Sequence, residues 1–65
     1  MVGVVTAFDD HAGLGEVQTA DGTTYPFHCT QIADGSRTIP VGVAVTFAVR
    51  PWHQGRYEAE ALTPC

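Results

Sequence analysis

Ala12-Gly13-Leu14-Gly15-Glu16-Val17 is the stretch on which the fold turns. Two glycines at alternate positions let the backbone bend and expose a flat surface. Strand side chains alternate with period two, so Leu14 and Glu16 must share one face, while Val17 anchors the other. Upstream, Gly3 to Phe8 is rich in β-branched residues and reads as a strand that ends at the polar turn Asp9-Asp10-His11. Downstream, the second strand runs from Leu14 to Thr19, and the Asp21-Gly22 dipeptide is a strong hairpin signal. The third strand, Thr24 to His28, follows at once. Three strands joined by two tight connections make a meander.

Pro26 lies inside that third strand and cannot donate to a ladder, so the strand is expected to have one unpaired side. Cys29 to Ile32 reads as a helical or 3₁₀ turn that tucks Ile32 into the core. Ala33 to Thr38 reads as a mobile polar loop. Strand four is expected over Val43 to Arg50, with Val45, Phe47 and Val49 in line on one face; Pro51 stops it. Trp52-His53-Gln54-Gly55 supplies the last turn. Strand five is expected over Arg56 to Leu62, with Tyr57, Ala59 and Ala61 on one face and Arg56, Glu58, Glu60 and Leu62 on the other. Five short strands leave costly edges unless the sheet curls shut. The expected fold class is therefore all-β, a five-stranded antiparallel barrel, with residues 1–65 as one domain.

Composition narrows the function. Sixty-five residues can bury one small core. The chain has no lysine; Arg37, Arg50 and Arg56 stand against seven acids, for a net charge of −4 that repels polyanions at long range and also serves solubility. Cys29 and Cys65 form neither a disulfide framework nor a zinc spacing, and reduced thiols in a cytoplasmic protein are expected. No apolar leader or run of about 18 apolar residues points to export or a membrane. His11, His28, His53 and Cys29 match no ligand rhythm, so no metal and no cofactor is expected. Neither a nucleophile elbow, a phosphate loop nor a pocket-forming carboxylate pair is present, and Asp9 and Asp10 read as turn caps; no catalytic residues are assigned and no enzyme is expected.

The order Gly3-x-Val5-x-x-Phe8-Asp9, then Gly13-x-Gly15 before Val17, then a strand ending in His28, resembles the bacterial cold-shock domain. That family shows G-x-V-K-W-F-N, K-G-F-G-F-I and V-F-V-H-F there. Ile32, Asp34-Gly35, Gly42-x-x-Val45-x-Phe47 and Gly55 follow at closely matching separations, so the resemblance covers nearly the whole chain. It implies an OB-type barrel that binds single-stranded DNA or RNA by stacking bases on an aromatic platform with lysines nearby. It also implies a core of Val5, Val17, Tyr25, Phe27, Ile32, Val45 and Phe47.

The platform itself departs from the family. Its strand-one tryptophan is Ala7 and the lysine beside it Thr6; the lysine before the glycines is Ala12 and the two phenylalanines are Leu14 and Glu16. Pro26, Cys29 and Ser36 stand at further aromatic positions, leaving Phe8 and His28 as flat rings. Stacking contributes about 1–3 kcal/mol per base, so losses on this scale remove roughly two to four decades of affinity.

Two functions follow as expectations. One is a cold-shock-like protein that holds single-stranded nucleic acid weakly or not at all, through Phe8, His28, Arg37 and Arg56. The other is a protein-interaction or homodimerising module on the rebuilt face of Ala7, Leu14, Glu16, Pro26 and Cys29, with Trp52 as a candidate protein contact. Phe8 could equally brace the sheet, His28 hydrogen-bond within the strand end, the arginines be solvated surface, and Trp52 cap a barrel end.

Overall fold

A computed structural model describes residues 1–52 and 55–65. The sequence-predicted elements are all present: β1 (Val2–Asp9), β2 (Leu14–Gln18), β3 (Thr24–His28), a 3₁₀ turn (Cys29–Gln31), β4 (Ala44–Pro51) and β5 (Tyr57–Pro64). They form one antiparallel sheet in the order β3-β2-β1-β4-β5. β3 is an edge, as Pro26 requires, because its missing N–H then faces away from the ladder with β2. Of the expected last turn, His53 and Gln54 lie outside the described residues.

The sheet curls so that its two edges, β3 and β5, lie against each other. Behind β3, Ile32 makes an isolated parallel bridge to Leu62, and the Ala33 N–H donates to the Leu62 carbonyl at 2.8 Å. The expected closure into a barrel is not made: among the described residues no ladder joins β3 to β5, and the bridge after the 3₁₀ turn is the isolated Ile32–Leu62 pair.

Alternation decides the core. Val5 on β1, Val17 on β2, Phe27 on β3, and Val45 and Phe47 on β4 all face inward and are buried with Ile32. Tyr25, expected among them, is only half-buried; its ring tilts against Phe47 at 5.8 Å from the outer part of the cluster. Ile39, Ala59 and Leu62 complete the core.

β5 departs most from the expected pattern. The register moves from Thr46↔Thr63 to Ala48↔Glu60, so Ala61 and Leu62 together oppose Phe47. Ala61 sits at φ 53° in this bulge. The extra residue reverses the alternation: Ala61 is exposed, not on the face of Ala59, and Leu62 turns into the core. Tyr57 is exposed and Glu58 buried.

Side-chain acceptors hold the connections. Asp9 Oδ1 accepts from the His11 and Ala12 N–H groups at 3.0 and 3.2 Å, so Asp9 caps the first turn. In the hairpin between β2 and β3, Asp21 accepts from the Thr19 hydroxyl and the Thr23 N–H. In the loop after Ile32, Asp34 accepts from the Ser36 hydroxyl and N–H. The Thr19 hydroxyl and then the Thr23 N–H hold the Asp21 carboxyl below the ordinary aspartate range; the Ser36 hydroxyl and N–H do the same for Asp34.

Gly15 carries the tightest packing in the meander. A Cβ there would stand 2.5 Å from Phe27 Cζ, 2.8 Å from Phe8 Cδ1 and 2.9 Å from the Ala7 carbonyl oxygen. Gly15→Ala is therefore expected to cost about 1–3 kcal/mol through overpacking, read as a lower urea midpoint. Asp21 and Asp34 generate an acid prediction. Their folded pKa values lie below the unfolded ones, so their contribution is complete above the ordinary aspartate range and is lost as pH falls through the folded values. The melting temperature of an Asp21→Asn, Asp34→Asn variant should lie below that of the parent at pH 7. The two should converge as pH falls below the folded values of the two carboxyls.

Candidate functional site

β1, β2 and β3 together shape the principal groove of the molecule, about 440 Å³ in volume. Its lining is mostly apolar: Ala7, Phe8, Leu14, Pro26, Phe27 and Trp52, joined by His28, Asp9, Glu16 and Glu58 over the Gly15 backbone. Register explains the assembly. Leu14 lies between Asp9 on β1 and His28 on β3, and Glu16 lies between Ala7 and Pro26. The face anticipated from the Gly13-Leu14-Gly15-Glu16 motif is thus one continuous surface.

Rings supply its flat walls. Phe8 and Phe27 stack with centroids 6.0 Å apart and planes 18° from parallel, which is possible because Gly15 leaves the backbone bare beside them. Phe27 is buried and Phe8 half-buried, so Phe8 braces the sheet and still reaches the groove. Trp52 arrives from the end of β4 and meets His28 edge-on, with centroids 6.1 Å apart. The sequence left Trp52 open between a surface contact and a barrel cap; it joins the lining close to His28 on β3.

Other expected site residues stand apart. Cys29 does not line the groove: half-buried, it packs on the core, and a Cβ at Gly13 (φ 69°) would come within 3.0 Å of its Sγ. The Cys29 N–H donates to the Gly13 carbonyl at 2.8 Å, so this contact sets the β1–β2 turn against the end of β3. Arg37, at φ 62°, belongs to the loop stabilised by Asp34 and is not among the groove residues. Arg56 lines a smaller depression with Tyr25 and Tyr57 on the other side of Pro26. Both cysteine thiols are free. Among the described residues no three His, Cys, Asp or Glu side chains approach closely enough to hold a metal ion, and no helix is long and apolar enough to cross a membrane.

The electrostatics are acidic. Asp9, Glu16 and Glu58 line the groove, and no arginine does so. Glu58 is the buried charged residue of the core, 2% exposed, and the Arg50 guanidinium from the adjacent strand pairs with it across the β4–β5 ladder. Arg50 also reaches Glu60 Oε2 at 3.7 Å. Sequence alternation placed Glu58 on the face of Arg56, Glu60 and Leu62 without saying which face is buried; the signal that it goes inside is Arg50 directly opposite on the neighbouring strand.

Arg50→Ala should leave a buried carboxylate without its counter-ion and lower stability. Arg50 is half exposed, so water replaces part of the pair and the expected loss is about 1–3 kcal/mol at neutral pH. The double variant Arg50→Ala, Glu58→Gln should recover much of it, checked by urea unfolding. No protein-family model matches this chain, and no curated protein matches it.

Proposed function

We propose that this chain is a small non-enzymatic binding protein of the cold-shock, OB-type barrel kind, acting in the cytoplasm. Its groove takes unpaired bases of single-stranded RNA or DNA at low affinity. The observation that carries this is the convergence of Phe8, His28 and Trp52 on one groove over β1, β2 and β3. Trp52 shares that lining with Ala7, the position at which the resembling family has its tryptophan, so a ring brought from β4 stands in for one absent from β1. Each stacked base contributes about 1–3 kcal/mol. With acids rather than lysines along the groove, phosphate contacts add little, and a dissociation constant of about 0.1–1 mM follows.

A second use of the same surface is docking of a protein segment or another copy of the chain. The apolar lining with Asp9 and Glu16 at its rim favours it.

Salt separates this mode of binding from ordinary nucleic-acid recognition. A lysine-rich site loses affinity steeply as salt rises because counterions are released. Here screening weakens the repulsion between a chain of net charge −4 and the phosphates, so affinity for a mixed-sequence RNA should hold or rise from 20 to 200 mM salt. The single tryptophan, Trp52, reports the titration by fluorescence. Absence of any Trp52 or amide response at millimolar RNA and DNA overturns the proposal and leaves the docking surface. An Ala7→Trp, Leu14→Phe, Glu16→Phe variant should bind oligothymidine at least ~100-fold more tightly than the parent, given two to three restored platforms.

A further inference from the structure

Among the groove carboxylates, Glu16 differs from its neighbours. Asp9 spends Oδ1 on the N–H groups of His11 and Ala12, and Glu58 is paired with Arg50. Glu16 is exposed and lines the groove between Ala7 and Pro26. Ala7 carries only a methyl group and Pro26 has neither a side-chain donor nor an N–H, so the two cross-strand neighbours leave the Glu16 carboxylate unengaged. Among the described residues it is the Glu16 backbone carbonyl, and not the carboxylate, that accepts a side-chain hydrogen bond, from Thr6 Oγ1 at 3.4 Å.

An ionised carboxylate beside stacking rings presents two acceptor oxygens in one plane and no donor. The bases answer it differently along their pairing edges. Guanine offers N1–H and the 2-amino group side by side, a matched pair of donors. Adenine and cytosine offer one amino group next to an acceptor nitrogen. Uracil and thymine offer one imino N–H between two carbonyl oxygens, both of which repel a carboxylate. Phosphate repulsion is common to all four and cancels in the comparison.

We propose that Glu16 is a specificity-determining residue and that the groove selects guanine over uracil and thymine in single strands. This rests on the stacking function proposed above. It inverts the usual effect of an acid on a nucleic-acid surface: overall affinity falls while discrimination between bases rises. A well-placed bidentate contact discriminates by a factor of roughly 5–150, and an exposed carboxylate in competition with water belongs at the low end of that range.

Three heptaribonucleotides decide it: heptauridine, the same strand with a central guanosine, and the same strand with a central inosine, which lacks the 2-amino group. Each is titrated into the parent, Glu16→Gln and Glu16→Ala by Trp52 fluorescence, with melting temperatures to verify folding. In the parent the guanosine strand should bind about five- to tenfold more tightly than heptauridine, with inosine between them. Both substitutions should remove most of that preference, and Glu16→Ala should bind heptauridine no more weakly than the parent does. Equal binding of the guanosine and uridine strands by the parent, or a preference that survives in Glu16→Ala, overturns the proposal while leaving stacking intact. Failure of all three strands to bind at millimolar concentration overturns both, and points to a protein ligand.

Discussion

The packing at Gly15 is the constraint on which the β1–β2–β3 half of the molecule depends. Phe8 from β1 and Phe27 from β3 stack over the backbone of β2 in the space a side chain would occupy. This contact fixes the two outer strands of the meander relative to the middle one. It also determines what lies on the groove: with Gly15 used for close approach, Leu14 and Glu16 on either side carry β2's contribution to its lining. Gly13 acts with it through a left-handed turn whose carbonyl receives the Cys29 N–H. One short glycine motif therefore sets strand packing, turn geometry and the chemistry of the groove.

Much of this was legible in the sequence for identifiable reasons. Val5, Val17, Phe27, Val45 and Phe47 occupy alternate positions, and a half-buried sheet accepts β-branched and aromatic residues on one face only. Asp9 and Asp21-Gly22 carry the side-chain chemistry of tight turns, and Pro26 marks an edge because it lacks a donor. Ala61 carries no such mark. An alanine at φ 53° has nothing in its own chemistry to announce a bulge, which is imposed by fitting Leu62 and Ala59 into the same core. Glu58 and Trp52 were only partly legible for another reason: the place of each depends on partners, Arg50 and His28, that only folding brings alongside.

The three arginines explain the character of the groove. Arg50 is committed to Glu58 and Glu60, Arg37 lies in the loop after Ile32, and Arg56 borders the depression beyond Pro26. None of them lines the principal groove. A ligand held there gains from apolar area and ring contact, both short-ranged, while the net charge of −4 acts against polyanions over a Debye length of about 8–10 Å. Such a surface favours ligands that bring flat or apolar groups close and keep their own negative charge at a distance.

On β2 the residues that make the fold and those that give the surface its chemistry lie on opposite sides of the strand, and they answer to different physics. Val17 must be buried because exposing it costs apolar transfer energy of about 1.5–3 kcal/mol, a large part of the stability of so small a domain. Glu16, its immediate neighbour, faces solvent and bears almost none of that load. Outward positions such as Leu14 and Glu16 can therefore change with little effect on the fold, while the inward position beside them cannot. A ring that follows β4 also reaches this face, where Trp52 meets His28. The glycine motif alone therefore does not define the groove, whose lining also takes Trp52 from the end of β4 and Glu58 from β5.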